Sequence, residues 1–286
     1  MENEKYQRNR QSVQDLLNIH GIKPSKAMGQ NFLIDANVPA KIVSKSGITK
    51  SCGILEVGPG LGALTHHLGE AAGKVTAVEL DKRLVEVLSD IFADYENIKI
   101  VQGDILKKNI KKLTDETMSG LTHHVCANLP YNITTPAIAA FIETGIFESI
   151  IVMIQKEVAQ RICAKPGSSE YGAFTVFANY YTEPEVLFDV SPECFIPRPK
   201  VTSTVIKMNT KAKLPLGKNE EKQLFQVVKA AFGQRRKTLV NALYSVFGSS
   251  KSKEYITEIV GKCGFETNIR GEVLSLEDFI NLSLKL

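Results

Sequence analysis

From residue 53 to residue 154, short apolar runs alternate with helical stretches at an even beat, and this alternation leaves few folds open. Residues 53–57 read as a strand running into Gly58-Pro59-Gly60-Leu61-Gly62, with a helix following to Ala71. Residues 74–80 read as a second strand, and Asp81 can cap a helix over 82–92. A third strand, 98–101, ends near Gly103-Asp104, and a fourth, 122–127, ends at Asn128. Pro136 opens a helix that Gly145 closes, and 150–154 is a fifth strand. Strands separated by helices in this way predict an α/β fold with a parallel sheet.

The flanks read differently. A helix over 9–20 is stopped by Gly21, and a second starts after Asp35 and ends at Gly47. Residues 207–219 are polar, carry Pro215 and Gly217, and read as a linker. Beyond them the pattern is helical: 220–232, 234–247, 251–262 and 275–284. The expected domains are 1–210, with an N-terminal helical arm over 1–50, and a small helical basic domain over 218–286. Charge follows the same division. Residues 1–50 carry 8 Lys/Arg against 4 Asp/Glu, 51–190 carry 11 against 18, and 191–286 carry 16 against 9. An acidic middle between two basic arms fits a polyanion-binding surface beside a site for something else.

Several function classes drop out. With 43% hydrophobic and 23% charged residues, the chain is neither disordered, nor collagen-like, nor a coiled coil. No apolar run approaches the ~18 residues that span a bilayer, and Met1 to Arg10 lack the apolar core of a signal peptide. The five cysteines are odd in number and far apart, which fits a reducing cytoplasm and no disulfide framework. Neighbouring His66-His67 and His123-His124 point in different directions along an element, so no metal is expected.

In an open α/β sheet, ligands sit outside the carboxyl ends of the strands. Here those ends carry Gly58, then Glu79 21 positions later, Asp104 25 later and Asn128 24 later, each gap about one strand-helix unit. The glycines let backbone approach a ligand, Glu79 can accept hydrogen bonds from ribose hydroxyls, and Asp104 can accept one from an exocyclic amine. Gly58, Gly60 and Ala63 with Glu79 also satisfy the dinucleotide pattern formally, so an NAD-dependent oxidoreductase stands as an alternative. The two further polar tips and the acidity of Glu56, Glu79 and Asp104 favour a cationic sulfonium over a pyrophosphate.

Asn128-Leu129-Pro130-Tyr131 follows the fourth strand. Placed there, the Asn128 side-chain oxygen and the Pro130 carbonyl can accept from the two N–H groups of an adenine N6 amine and localise its lone pair. Tyr131 can stack on the base, worth roughly 1–3 kcal/mol. No general base is required, since the nitrogen turns acidic as a methyl group arrives.

With these motifs stand Gln30-Asn31-Phe32-Leu33, Glu79-Leu80-Asp81, Phe195-Ile196-Pro197-Arg198-Pro199-Lys200-Val201 and Phe232-Gly233-Gln234-Arg235-Arg236-Lys237-Thr238-Leu239, all in order. Over nearly its whole length the chain resembles the rRNA adenine N6,N6-dimethyltransferase family, in its bacterial small-subunit (16S) branch. The resemblance implies a Rossmann-like S-adenosylmethionine-dependent methyltransferase sheet with helices on both faces and a small all-helical C-terminal domain. It implies dimethylation of two adjacent adenosines in a hairpin near the 3′ end of 16S rRNA during small-subunit assembly. A cytoplasmic monomer is expected beside this, from the cysteine usage and from the lack of an obvious assembly motif in the sequence. Carried over, Asn31, Leu33, Gly58, Gly60, Glu79, Asp104 and Asn128 would contact S-adenosylmethionine. Asn128, Leu129, Pro130 and Tyr131 would hold the target base, Phe195 would stack on its other face, and Arg235, Arg236 and Lys237 would meet RNA phosphates. A 23S rRNA methyltransferase of the drug-resistance type and a non-catalytic RNA-binding assembly factor share much of this pattern and stand as alternatives.

Overall fold

The computed structural model describes residues 10–25, 28–234 and 236–286. The elements run α1 (Arg10–Ile19), β1 (Phe32–Leu33), α2 (Asn37–Ser46), β2 (Cys52–Val57), α3 (Ala63–Ala71), β3 (Lys74–Glu79), α4 (Lys82–Ile91), β4 (Ile98–Gln102), α5 (Ile110–Met118), β5 (Thr122–Asn128), α6 (Thr134–Thr144) and β6 (Ser149–Gln155). They continue through α7 (Lys156–Ile162), α8 (Ala173–Tyr181), β7 (Thr182–Val190), β8 (Phe195–Ile196), β9 (Ser203–Thr210), α9 (Lys218–Gly233), α10 (Leu239–Phe247), α11 (Lys253–Lys262) and α12 (Leu276–Lys285). The chain divides into two compact units: residues to Ala159 with Glu185–Thr210, and Gln160–Pro184 with Lys211–Leu286.

The first unit is built on a seven-stranded sheet in the order β4-β3-β2-β5-β6-β9-β7. Its four pairings from β4 to β6 run parallel where the sequence alternation requires it, Gly53 opposite Lys74 and Cys52 opposite Thr122. All of β2 is buried and so is β6 up to its last residue, whereas β4 at the edge is only half-buried. Continuous apolar runs in the middle of a sheet follow from helices covering both faces. On one face Val38 and Ile42 of α2 and Leu64 and Leu68 of α3 bury with Ile54, Val75, Ile151 and Met153. On the other, α5 docks through buried Thr117, whose hydroxyl accepts a 2.8 Å hydrogen bond from Thr76 of β3. The arm is tied down as well: Val13 and Leu17 of α1 bury with Phe32, Leu61, Leu84 and Val87.

The sheet is not wholly parallel. β9 pairs antiparallel with β6, from Ser149 opposite Asn209 to Gln155 opposite Ser203. Residues 207–210, read from sequence as the start of a linker, therefore belong to a strand. α6 opens at Thr134, two residues before Pro136, whose missing N–H falls among the orphan donors of the first turn.

The second unit differs in extent from the 218–286 span expected. Tyr171, Val176 and Tyr180 bury in the same apolar cluster as Leu224, Val227, Leu243, Phe279 and Leu282. Tyr171 donates a 2.9 Å hydrogen bond to the carbonyl of Leu274. That apolar face draws 160–184 into this unit instead of the 1–210 span. The expected helix over 234–247 begins only at Leu239, after a turn in which the Lys237 N–H bonds the Gln234 carbonyl. Among the described residues no helix is long and apolar enough to cross a membrane, and no group of three or more His, Cys, Asp or Glu is placed to hold a metal ion.

The turn from β2 to α3 depends on Gly62, whose φ is +79°. A Cβ there would meet the buried Phe92 ring at 2.5 Å. Left-handed strain of about 1–2 kcal/mol and overpacking of about 1–3 kcal/mol would both apply. Gly62→Ala is expected to lose roughly 2–5 kcal/mol of stability, read as a lowered denaturation midpoint with an unchanged slope.

Candidate active site

The carboxyl ends of β2, β3, β4 and β5 converge on one cavity of about 300 Å³. Its wall includes Gly58, Gly60, Glu79, Asp104, Asn128, Leu129, Pro130 and Tyr131, together with Asn31 from the loop before β1. The tips therefore meet as their spacing demands.

Glu79 ends β3 with its carboxylate already oriented. Its Oε1 accepts from the Asp81 N–H at 2.9 Å and its Oε2 from the Gly60 N–H at 3.4 Å. Burial pushes its carboxyl up from the ordinary range, and these backbone donors oppose that. Asp104 serves two purposes: Oδ1 caps the following turn by accepting from the Leu106 N–H at 3.0 Å, while Oδ2 lies 3.6 Å from Lys107 Nζ.

The cavity also has apolar walls that sequence reasoning missed. Leu80 is 53% exposed and Leu106 42% exposed, and both line it. Large apolar side chains left open beside polar tips are what a flat aromatic ring requires on its faces. The signal was available, since each follows an acidic tip by one or two residues. Gln30 was also missed as a wall residue. Its Oε1 accepts from the Ser25 N–H at 2.8 Å, and its Nε2 donates to Asp81 Oδ2 at 3.4 Å, tethering the arm to the β3 end.

A smaller recess of about 40 Å³ adjoins, lined by Asn31, Leu33, Glu56, Gly58, Gly60 and Asn128 among others. Leu33 faces this recess and not the larger cavity. Glu56 is 1% exposed, and its Oε2 has no hydrogen-bond partner. Burial pushes its carboxyl up to about 8; the neighbouring Thr65 hydroxyl offsets part of that and the charge of Glu79 adds to it. A buried acid with a vacant oxygen is suited to a cationic group entering beside it.

The loop after β5 departs from expectation in one atom. The Pro130 carbonyl already accepts from the Ile133 N–H and the Thr134 hydroxyl, both at 3.1 Å. It closes the turn into α6 and is not available to a substrate amine as expected. Among the described residues no hydrogen bond engages the Asn128 carboxamide or the Leu129 carbonyl. Leu129 is 1% exposed and borders the cavity, so its side chain anchors the loop there. Gly58, with φ +67°, lies so near that a Cβ would come within 3.2 Å of the Pro130 ring. Tyr131 is half-buried, and its hydroxyl is 2.9 Å from Ser203 Oγ.

Phe195 is not brought to the cavity. It pairs with Leu33 across β1 and β8, is 1% exposed, and buries in the cluster that holds Val190 and Val205. Here it is a core aromatic, contrary to the base-stacking role expected. Arg236 and Lys237 are exposed in the turn before α10, in the second unit; Arg235 lies outside the described residues.

A family model described as ribosomal RNA adenine dimethylase matches residues 22–282. The ribosomal RNA small subunit methyltransferase A of Shouchella clausii is 43% identical over 270 residues, 94% of this chain and 91% of that protein. Its namesake in Clostridioides difficile is 41% identical over 273 residues, 95% and 94% of the two chains. Among solved structures, a dimethyladenosine transferase from Plasmodium falciparum aligns with a TM-score of 0.76 at 24% identity, covering 88% of this chain and 95% of that one. The 23S rRNA methyltransferase ErmE aligns with a TM-score of 0.70 at 23% identity, covering 90% and 99%. These last two likenesses establish the Rossmann-like fold.

Proposed function

The chain belongs to the ribosomal RNA adenine dimethylase family, and from that premise we propose that it dimethylates the N6 amines of two adjacent adenosines in a hairpin near the 3′ end of 16S rRNA, using S-adenosylmethionine. The observation that carries this reading is a single cavity lined both by the four strand tips and by the loop after β5, in which no hydrogen bond among the described residues engages the Asn128 carboxamide or the Leu129 carbonyl.

The donor set fits the cofactor. When bound, S-adenosylmethionine supplies a methyl group on a positively charged sulfur. Glu79 takes the ribose hydroxyls, with its carboxylate preset by the Gly60 and Asp81 amides. Leu80 and Leu106 cover the adenine faces, and Asp104 offers Oδ2 to the exocyclic amine. Asn31, Leu33, Gly58, Gly60 and Glu56 surround the amino-acid end, where the unpartnered Glu56 oxygen offsets positive charge.

The target base is held by different atoms. Asn128 Oδ1 and the Leu129 carbonyl accept from the two N6 hydrogens, which turns the nitrogen lone pair out of the ring and towards the donor. Pro130 fixes the turn by engaging its own carbonyl with Ile133 and Thr134. Tyr131 packs on the base face. Nothing in this arrangement has to remove a proton before attack, because the amine becomes acidic as the new bond forms. Catalysis is positioning and field. Arg236 and Lys237, with Arg235 beside them, take RNA phosphates, so affinity for RNA falls steeply with salt. The protein acts as a single chain in the cytoplasm, on rRNA in a small-subunit precursor.

The test is mass spectrometry of rRNA. Small-subunit particles from a strain lacking the gene, incubated with the purified protein and S-adenosylmethionine, are expected to gain two neighbouring N6,N6-dimethyladenosines near the 3′ end of 16S rRNA. Methylation confined to 23S rRNA, or none at all, would overturn the assignment.

A further inference from the structure

The hydroxyl of Tyr131 makes a 2.9 Å hydrogen bond with Ser203 Oγ. The two residues are 72 positions apart in sequence. Ser203 is fully buried and is the first residue of β9. It stands opposite Gln155, the last residue of β6. That register places it at the carboxyl end of the sheet, where the cavity opens. Because β9 runs antiparallel, it is the first residue of the strand that reaches this edge.

Tyr131 sits in the turn between β5 and α6, where its backbone alone leaves the two side-chain torsions of the ring free. Those torsions decide whether the ring lies flat against a base or edge-on to it. A stacking ring needs its plane fixed. The hydroxyl oxygen lies on the axis of the second torsion, so a bond to it fixes the first torsion, and with it where the ring stands, and steadies the plane only through the in-plane preference of phenol hydrogen bonds; Ser203 meets it there. The hydrogen bond also opposes the rise that burial imposes on the Tyr131 hydroxyl.

We infer that Ser203 is a positioning residue for methyl transfer: it holds the Tyr131 ring by its hydroxyl in the place that receives the target adenine. The inference rests on the reading of Tyr131 as a base contact given above. Ser203 touches neither cofactor nor base in this account and acts only through Tyr131.

That restriction gives the test. Ser203→Ala, Tyr131→Phe and the double variant are compared in the full-length protein for kcat and KM towards small-subunit particles, and for S-adenosylmethionine Kd by calorimetry. Losing one aligned hydrogen bond is expected to lower kcat/KM by about tenfold in either single variant. The Kd should stay within about twofold of wild type, because the cofactor walls are untouched. The double variant should be no worse than either single one. Independent losses that multiply in the double variant would overturn the inference, as would a Ser203→Ala enzyme of wild-type kcat/KM. A merely structural role would lower the melting temperature and add its effect in the Tyr131→Phe background. Tyr131→Ala separates the two levels of the argument. If it keeps full transfer, the base-contact reading fails and Ser203 falls with it. If it loses transfer while Ser203→Ala does not, only the role of Ser203 fails.

Discussion

Asn128→Ala is expected to lower methyl transfer by roughly 10²–10³-fold, the range found when one aligned polar partner is removed from a transition-state site. The loss should appear in kcat. The amine of adenine is a weak nucleophile because its lone pair belongs to the ring, and rehybridising it is the part of the reaction that the Asn128 acceptor assists. Asn128 also borders the cofactor side of the cavity and the smaller recess. It holds neither the ribose nor the adenine end, so S-adenosylmethionine affinity should change by no more than a few fold. Single-turnover methyl incorporation beside calorimetric titration checks both halves. An Asn128→Ala enzyme within about tenfold of wild type in the single-turnover rate would mean that the loop does not orient the amine, whatever else it does.

The second acceptor shows where sequence reading stops. That a loop after the fourth strand should carry an Asn and a backbone carbonyl is legible from its place after strand and spacer. Which carbonyl serves is decided by hydrogen bonds that only the folded turn reveals. The Ile133 N–H and the Thr134 hydroxyl converge on Pro130, and the Leu129 carbonyl is left over. The same limit applies elsewhere. The four tips were legible because a strand-helix unit has a nearly fixed length, so residues 21 to 25 apart return to one edge. The stacking role of Phe195 came from the resemblance and not from its own surroundings, and pairing with Leu33 turns the ring inward. β7 and β9 escaped notice because no α-helix separates them, and the end of β9 is as polar as the linker that follows. The position of Leu80 and Leu106, one or two residues after an acidic tip, was legible, whereas their exposure, which leaves them to a ligand and not to the core, is visible only in the fold.

Glu56→Gln is expected to make the cofactor-free protein more stable at pH 8 while weakening cofactor binding, and the pH dependence gives the reason. In the unfolded chain the Glu56 carboxyl ionises near its ordinary value of 4.5, whereas in the fold it does so at about 8. Between these values the folded chain keeps a proton that the unfolded chain has released. Stability therefore falls as pH rises from about 4.5 to about 8 and levels off beyond. The penalty is on the order of a few kcal/mol for a carboxylate buried without a partner, which for a chain of this size corresponds to several degrees in melting temperature. Gln has the same shape and cannot ionise, so its melting temperature should match wild type near pH 4.5 and exceed it increasingly towards pH 8. A cation entering the recess reverses the balance for Glu but not for Gln. The stabilisation that S-adenosylmethionine confers should accordingly grow with pH in wild type and stay flat in the variant. Parallel melting curves for the two proteins, without cofactor, from pH 5 to 8 would show that Glu56 is ionised and paired in the fold, and would remove the charge argument for a sulfonium ligand at this recess.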